Sequence, residues 1–241
     1  LRNAGVPQLA DNFYHRANRG NGQTPWSATA AGELWLATPH GAPPKKIAAC
    51  RSTATPPDLD GALDDSCWQE GDAVRLSTGR SRSKEGDPQT VAMLMYDRRY
   101  LYFAASVPRH PHGPQEAAPA AGREYDADLS GFDRLELLLD LDRDYATAYS
   151  FAVDQRGQTA ESCWGDRSWN PTWHVAAKDD GDKGSIEAAV PLDELSPRVP
   201  FKGEVWAAGL IRTIPGVGIL SWSGSTAADP DIASFSLIRF E

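Results

Sequence analysis

The sequence predicts an all-β protein, an antiparallel β-sandwich of the immunoglobulin or jelly-roll kind, and three observations support this class. Short apolar runs alternate with turns rich in Gly, Asp and Pro from residue 48 onward. Few windows show the 3.6-residue period of an amphipathic helix. Single runs also alternate: within 134–141, Leu135, Leu137 and Leu139 share one face of a strand, whereas Arg134, Glu136, Leu138 and Asp140 share the other, which carries polar groups. Many short, half-buried strands of this type are typical of sandwiches.

Nine apolar runs after residue 89 supply most of the predicted strands. The first run is apolar on both faces, which predicts a central strand covered on both sides. The stretches YDRRY, after the first run, and KDDGDKG, at 178–184, predict tight turns, because Gly181 and Gly184 adopt positive φ without strain. The runs span residues 90–96, 100–107, 134–141, 147–154, 172–177, 185–192, 204–213, 218–223 and 233–240.

The first 47 residues differ from the rest, since they are rich in Gly, Asn, Ala and Pro and show little periodicity. We predict an extended N-terminal segment, or the tail of a preceding domain, over 1–47 and a single sandwich over 48–241. One short strand is predicted at 32–38, and the prolines of 39–46 indicate a linker. The chain begins with neither an initiator Met nor a signal-peptide pattern, which favours a mature terminus or a piece of a longer protein.

The net charge of −9 narrows the classes of partner. Acidic residues dominate after residue 50, and no basic stripe is present, so the composition argues against nucleic-acid binding. No run reaches the roughly 18 uninterrupted apolar residues that a membrane-spanning helix needs. The charge and hydropathy therefore favour neither nucleic acid nor a membrane span.

Three cysteines, Cys50, Cys67 and Cys163, form no CxxC motif, so their spacing suggests neither a zinc site nor covalently attached haem. One disulfide and one free thiol fit an oxidising compartment, and we favour a pair that includes Cys67. Three buried thiols are the alternative.

Two stretches and the order of the runs resemble a known family. PDLDGALDDSCWQEG (57–71) resembles the opening motif IDGxLDxxxW of the family 9 carbohydrate-binding modules and their DOMON-like relatives, and FDRLELLLD (132–140) resembles their DxVE strand. Asp133 and Glu136 stand at the matching positions. The similarity covers roughly residues 50–241. It implies a β-sandwich that binds a ligand without catalysis and is attached to secreted or periplasmic polysaccharide-degrading enzymes.

The chain departs from the sugar-binding members of that family at their ligand site. Two tryptophans clamp a terminal sugar there, one before the DxVE strand and one after the SWS motif. The first place here reads DLSGFD (128–133) and the second STAADPDIA (225–233), and neither contains Trp. A sugar-binding Arg of the family corresponds to Ala152, whereas the family's Glu is retained as Glu136.

Three of the eight tryptophans lie within 161–173, a density that indicates either a sugar-stacking surface or a sheet core. Trp173 alternates with apolar positions, which favours the core, and packing is also favoured over ligand binding for Trp169. Trp164 follows a loop-like pattern, and Trp222 is predicted to reach a rim. The candidate ligand-binding residues are Trp164, Trp222, Glu136, Arg134 and Trp169.

Asp140, Asp142 and Asp144 alternate in the loop after the 134–141 run and offer the hard oxygen ligands that Ca²⁺ prefers. Tyr145 and Phe151 occupy the sixth and twelfth positions, where an EF-hand needs Gly and Glu, so this is not an EF-hand. The sequence leaves open a structural calcium site or a solvated acidic turn.

These observations predict a carbohydrate-binding module of a larger exported protein, secreted or periplasmic, that is not an enzyme. No GxSxG, HExxH, P-loop or dinucleotide fingerprint is present. One alternative is a haem b-binding electron-transfer domain, for which Met93, Met95 and His174 are the candidate ligands. The other is a structural or protein-interaction sandwich that has lost sugar binding.

Overall fold

The computed structural model describes residues 6–20, 24–78, 89–114, 122–124, 126–223, 225, 227 and 231–241. These residues form twelve strands, three α-helices and three short 3₁₀ turns at Asn18–Gly20, Leu192–Glu194 and Ile232–Ser234. The helices are α1 (Pro7–Ala17), α2 (Pro25–Ala37) and α3 (Ser66–Glu70). The strands are β1 (Ile47–Ser52), β2 (Val74–Arg75), β3 (Val91–Tyr96), β4 (Tyr100–Pro108), β5 (Arg134–Asp140), β6 (Tyr149–Asp154), β7 (Thr159–Cys163), β8 (His174–Asp179), β9 (Lys183–Pro191), β10 (Val205–Ile214), β11 (Gly218–Ser221) and β12 (Ser236–Phe240).

The strands form one curled sheet in the order β7-β6-β5-β10-β12-β1-β3-β4-β9-β8, with β11 beside β10 and β2 beside β3. Strand β1 joins two layers, because Ile47–Cys50 pairs with β12 and Arg51–Ser52 pairs with β3. Both pairings of β1 are parallel, and the other pairings are antiparallel. The predicted sandwich is confirmed, and β1 makes its sheet mixed instead of wholly antiparallel.

The main core lies between the two layers and is built by alternating strand positions. Leu135, Leu137 and Leu139 on β5 are at most 1% exposed, as their alternation predicts. Trp173 and Trp206 are among the largest fully buried side chains of this core. Each large apolar side chain buried in this way contributes about 1.5 to 3 kcal/mol to folding. The core therefore holds the two layers face to face and leaves their outer faces free for other contacts.

The N-terminal residues are helical, so the expectation of an extended segment and of a strand at 32–38 is wrong. Helix α2 begins with a capping box, in which the Thr24 hydroxyl accepts from the Ser27 amide and Ser27 Oγ accepts from the Thr24 amide. Pro25 occupies the first helical turn, where its missing N–H has no cost. The stretch is apolar on every side, which is why it shows no helical period. A domain boundary at residues 47 and 48 stays a prediction.

Helix α2 packs on the outer face of the first layer through a buried polar network. Glu33, 1% exposed, accepts hydrogen bonds from Arg143 Nε at 2.8 Å and from the Tyr145 hydroxyl at 2.6 Å. Lys45 Nζ donates to the carbonyls of Ala233 at 2.9 Å and Phe235 at 2.7 Å. Burial lowers the pKa of Lys45 to about 8, and the negative charge of Glu33 opposes this shift. The helix thereby covers the β10–β12 part of this face, and β5 to β7 remain uncovered by it.

The outer face of the second layer is covered by the segment that contains the 57–71 motif. Glu187, 0% exposed, accepts from Trp68 Nε1 at 2.7 Å and from the amides of Gly61 at 2.7 Å and Asp60 at 3.2 Å. Gly61 has φ +78°, and an added Cβ would lie 2.9 Å from the Lys178 Cβ, so glycine is required there. One buried carboxylate therefore anchors the whole motif.

All three cysteines are free thiols, so the predicted disulfide with Cys67 is wrong and the alternative of three thiols holds. Cys50 lies in the core between the layers, whereas Cys67 lies with α3 on the outer face of the second layer. Cys163 is half-buried at the end of β7. Burial raises the pKa of the Cys50 and Cys67 thiols, which makes them poor nucleophiles.

Among the described residues, no helix has both the length and the apolar character needed to cross a membrane.

Candidate functional site

The uncovered part of the first layer forms a cleft whose floor is made by β5, β6 and β7, and we call it the β5–β7 cleft. Its volume is about 670 Å³. Residues 126–130 close one end of the strands, and residues 146–148 with 164–167 close the other. Ile232 and Phe235 form the wall on the β10 side. The floor and walls together define a concave polar surface of the size typical for small-ligand sites.

The floor residues share one face because of the strand register. Leu138 pairs with Ser150 and Ser150 with Ser162, whereas Glu136 pairs with Ala152. These side chains point away from the core, since their neighbours along each strand point into it. The resulting floor carries Leu138, the larger polar side chains of Glu136 and, nearer one end, Arg134, and small side chains at its other strand positions.

Arg134 and Glu136 lie in the cleft together, as predicted, and both are half-buried. The Ser150 hydroxyl donates to Glu136 Oε1 at 2.6 Å, which fixes the carboxylate against β6. Arg134 Nη1 donates to the Leu129 carbonyl at 3.4 Å, near the upper limit for a hydrogen bond. A carboxylate and a guanidinium on one floor supply both acceptors and donors to a ligand rich in hydroxyl groups.

Trp164 stands at the rim of this cleft and is 66% exposed. It lies in a tight turn closed by two hydrogen bonds between the backbones of Cys163 and Asp166, at 2.9 and 3.0 Å. Trp164 itself has φ 56°, and Gly165 follows with φ 84°. A left-handed backbone conformation costs energy at a tryptophan. The turn therefore holds the Trp164 backbone in a conformation that this residue disfavours. Strained backbone with an exposed aromatic ring is typical of binding sites.

The other predicted tryptophans lie elsewhere. Trp222 is 4% exposed within the main core, so its predicted rim position is wrong. Its backbone amide donates to the carbonyl of Leu210 on β10, and this pairing directs the ring inward. Trp169 is half-buried and packs its ring 5.6 Å from that of Phe151, and Trp173 is 2% exposed. Both rings contact the core, Trp173 in the way its alternation predicts.

The two places that carry the family's clamp tryptophans border the same cleft. Leu129 and Ser130, from the first place, line it directly. The Arg156 guanidinium covers one face of the Phe132 ring, 3.3 Å from the ring centroid. From the second place, Ile232 lines the wall, whereas residues 226 and 228–230 lie outside the described residues.

Several cleft residues were not predicted from the sequence. Asp126, Asp128 and Arg167 come from loops, so only the fold brings them to the cleft. Ser150, in contrast, lies between Tyr149 and Phe151 in the predicted 147–154 run, and this alternation of polar and aromatic residues was a signal for an outward-facing polar group. Ser162 lies on β7, which the sequence did not predict.

The three aspartates of the loop after β5 do meet. One carboxylate oxygen from each of Asp140, Asp142 and Asp144 lies within 4.8 Å of the others. Asp140 is 1% exposed and accepts from the amides of Tyr145 at 2.9 Å and Asp144 at 3.3 Å. Burial raises the pKa of Asp140 to about 7, and the Tyr145 amide opposes the shift while the charges of Asp144 and Asp142 add to it. Trp164 borders a smaller cleft of about 340 Å³ beside Asp142 and Asp144.

The candidate haem ligands are not arranged as an axial pair. Met95, Tyr102, Ala189 and His174 follow one another across β3, β4, β9 and β8. Three strand spacings of about 4.8 Å place the Met95 and His174 backbones roughly 14 Å apart on one face. Met95 is fully buried under α3, whereas His174 is exposed. This geometry does not favour the haem alternative.

Solved structures share this architecture. A family 9 carbohydrate-binding module from Caldicellulosiruptor kristjanssonii in complex with cellotriose has a TM-score of 0.59 and 16% identity, over 81% of this chain and 94% of that chain. A family 9 module from the same organism with glucose has a TM-score of 0.59 and 16% identity, over 81% and 96%. A protein from Bacteroides uniformis, provisionally described as carbohydrate-binding, has a TM-score of 0.57 and 13% identity, over 82% and 100%.

The fold is that of the family 9 carbohydrate-binding modules. No sequence-family profile and no curated protein matches the chain. The resemblance noted at 57–71 and 132–140 thus extends to the three-dimensional family 9 fold. Within that fold, Glu136 lies on the cleft floor and Trp164 at its rim.

Proposed function

We propose that the protein is a non-catalytic carbohydrate-binding module whose ligand lies in the β5–β7 cleft. The observation that carries this proposal is the exposed indole of Trp164 at the rim of a concave floor with Arg134, Glu136 and Ser150. Two structural neighbours with the family 9 fold are complexes with cellotriose and glucose. The fold and the chemistry of the cleft therefore support the same class of ligand.

The residues of the cleft have complementary roles in this proposal. The Trp164 ring stacks on the apolar C–H face of a sugar ring, because an indole is flat and weakly hydrated. Glu136 accepts hydrogen bonds from two neighbouring hydroxyls, while Ser150 keeps its carboxylate in place. Arg134 donates to a ring or hydroxyl oxygen. With no clamp tryptophans at 128–133, stacking depends on Trp164.

The cellular setting belongs to the same proposal. A module of this kind is part of a larger exported protein, secreted or periplasmic, and brings it to a polysaccharide. The net charge of −9 supports a neutral sugar ligand and argues against nucleic acid.

Replacing Trp164 by alanine is expected to weaken binding to cellulose-type and other neutral polysaccharides about tenfold or more, because a stacking contact contributes about 1 to 2 kcal/mol. Affinity gel electrophoresis over a panel of polysaccharides measures the effect. Trp26→Ala is the matched control, since Trp26 is 44% exposed but lies on α2. A wild-type protein that binds no member of the panel, or a Trp164→Ala variant that binds equally well, would contradict the proposal.

We also propose that Asp140, Asp142 and Asp144 bind a structural Ca²⁺. Two oxygens bound to one calcium at 2.3 to 2.6 Å are at most about 5 Å apart, and the carboxylates lie within 4.8 Å of one another. The three residues therefore fit such an ion, which would stiffen the loop beside Trp164 and take no part in catalysis.

Millimolar Ca²⁺ is expected to raise the melting temperature by about 3 to 8 °C over EDTA, because an ion that binds only the folded state stabilises it. The double variant Asp142→Asn with Asp144→Asn should lose this shift, whereas Asp193→Asn, an exposed control, should keep it. Differential scanning calorimetry measures the melting temperatures of the three proteins with Ca²⁺ and with EDTA. An equal shift in the double variant and the wild type would disprove the site.

A second candidate function is protein interaction without sugar binding. It is favoured by helix α1, which exposes Leu9 by 58% and Phe13 by 53%, one helical turn apart. A glycan array without hits would select this candidate over the first.

A further inference from the structure

A second cleft, separate from the β5–β7 cleft, lies at one end of the second layer, where β4 and β8 begin and β9 ends. We call it the Arg98 cleft, and its volume is about 440 Å³. It shares no lining residue with the β5–β7 cleft. Its lining includes five charged side chains and two aromatic rings beside smaller and apolar residues. The residues that matter here are Arg98, Arg99, Tyr100, His174, Asp193 and Glu194.

The cationic side of this cleft is a rigid hairpin turn. The Asp97 carboxylate accepts from the amides of Arg99 at 2.6 Å and Tyr100 at 2.7 Å, and from the Tyr102 hydroxyl at 2.8 Å. The Arg99 carbonyl accepts from the Leu192 amide at 2.8 Å, which ties the turn to the end of β9. The Asp97 carboxylate therefore accepts hydrogen bonds from two backbone amides and from the Tyr102 hydroxyl, and among the described residues it forms no ion pair with the arginines of the turn.

The guanidinium groups of Arg98 and Arg99 are consequently available. Both side chains are exposed, and within the described part of the chain neither forms an ion pair with a carboxylate. Arg198, the third arginine of the cleft, is different, since it forms a bidentate pair with Glu204 at 2.5 and 3.3 Å. Arg99 Nη2 also donates to the Tyr100 hydroxyl at 3.4 Å. Two adjacent guanidinium groups that form no ion pair with a described carboxylate offer hydrogen-bond donors and positive charge to an anionic group of a ligand.

Aromatic rings lie beside this cationic pair. The Tyr100 and His174 ring centroids are 6.0 Å apart, and the rings meet at 64°. The Arg99 guanidinium carbon lies 5.2 Å from the Tyr100 centroid, so the ring also orients that side chain. Together these rings offer an apolar surface next to the cations.

The opposite wall supplies hydrogen-bond acceptors. Asp193 and Glu194 are exposed on the short 3₁₀ turn Leu192–Glu194 that follows β9. Carboxylates accept hydrogen bonds from sugar hydroxyls. The cleft therefore combines cationic donors on one wall with carboxylate acceptors on the other, which suits a ligand that carries both an anionic group and hydroxyls.

We propose that the Arg98 cleft binds a uronic acid residue of an acidic polysaccharide. The planar carboxylate of a uronate pairs with the planar guanidinium groups of Arg98 and Arg99. Its ring packs on Tyr100 and His174, and its hydroxyls donate to Asp193 and Glu194. This proposal rests on the proposed carbohydrate-binding function but assigns a second site and a second class of sugar.

The test uses the full chain and two trisaccharides, trigalacturonate and its neutral galactose counterpart, in isothermal titration calorimetry. We expect trigalacturonate to bind at least about tenfold more tightly than the neutral trisaccharide, and to bind more weakly when salt rises from about 0.05 to 0.5 M. The double variant Arg98→Gln with Arg99→Gln should remove this preference. Arg75→Gln with Lys183→Gln is the matched control, because it removes the same charge from exposed positions elsewhere.

Equal binding of the two trisaccharides by the wild type, or binding of neither, would overturn the proposal. So would an equal loss in the control variant, since that would reflect net charge alone. Loss of trigalacturonate binding in Trp164→Ala, with no loss in the arginine variant, would place the acidic sugar in the β5–β7 cleft instead. That outcome overturns the second site and leaves the proposed function standing. If Trp164→Ala binds neutral polysaccharides as well as the wild type does, the proposed β5–β7 site is overturned and the Arg98 cleft is not affected.

Discussion

Replacing Glu187 by alanine is expected to lower the free energy of unfolding by about 3 to 5 kcal/mol, because it leaves several buried donors without an acceptor. Glu187 is 0% exposed, and its carboxylate satisfies Trp68 Nε1 and the amides of Gly61 and Asp60. These groups belong to the 57–71 motif, so the segment that covers the second layer should detach first. Urea unfolding followed by tryptophan fluorescence measures the change, since Trp68 reports on the segment directly.

Glu187→Gln provides the comparison. Its amide oxygen retains one acceptor, so the loss should be about half of that in Glu187→Ala. Glu70→Ala removes an exposed glutamate of α3 and should change stability by less than about 0.5 kcal/mol. If Glu187→Ala were as stable as Glu70→Ala, the motif would be held by apolar packing alone.

The same carboxyl group gives stability a defined pH dependence. Burial raises the pKa of Glu187 above its ordinary value of 4.5, and the hydrogen bonds from Trp68 and Gly61 oppose the shift. Because the folded state keeps the proton longer than the unfolded state, this group stabilises the fold fully below pH 4.5 and loses that contribution as pH rises through the raised pKa. The stability of the wild type relative to Glu187→Gln should therefore fall as the pH rises above 4.5.

Replacing Glu33 by alanine is the second change with a large expected effect, a loss of about 2 to 4 kcal/mol. Removing one partner of a buried ion pair costs about 3 to 5 kcal/mol, and Arg143 retains 22% exposure, which reduces the penalty. The Tyr145 hydroxyl would lose its acceptor at the same time. Helix α2 should then separate from the β10–β12 part of the sheet.

Amide hydrogen exchange measures that separation. In Glu33→Ala, the amides of α2 should exchange faster than in the wild type, while those of β3 and β4 in the second layer should be unchanged. Glu33→Gln retains an acceptor for Tyr145, so its α2 amides should exchange at rates between those of Glu33→Ala and the wild type. Unchanged protection of α2 in Glu33→Ala would show that Leu36 and its apolar neighbours suffice to hold the helix.

Nine of the twelve described strands were predictable because each coincides with an apolar run, whereas β1, β2 and β7 were not predicted. Leu135, Leu137 and Leu139 alternate with polar neighbours, and that period of two specifies which face of β5 is buried regardless of its partners. The same alternation placed Arg134 and Glu136 on the exposed face. Strand β7 (Thr159–Cys163) was missed, since TAESC is short and weakly apolar, and only pairing with β6 makes it a strand.

The candidate site was predictable in part. Trp164 was assigned to a loop, and the structure places it at the cleft rim, 66% exposed. Trp222 has an equally polar local context, SWSGS, yet it is 4% exposed, because its position is set by β10 and by the layer opposite. The predicted disulfide is wrong for a related reason: Cys50 lies in the core between the layers and Cys67 on the outer face of the second layer, which spacing along the chain does not reveal.

The sequence by itself determined nine of the twelve described strands, the faces that most of these bury, and the residue types available to a ligand. These properties depend on neighbours two positions apart along the chain, where alternation is a direct consequence of the pleat. Only the tertiary structure decided that β1 pairs in parallel with both layers, that α2 is a helix lying on the sheet, and that Trp164 meets Glu136 in one cleft. Those outcomes depend on contacts between residues far apart in sequence, which hydrophobic periodicity does not encode.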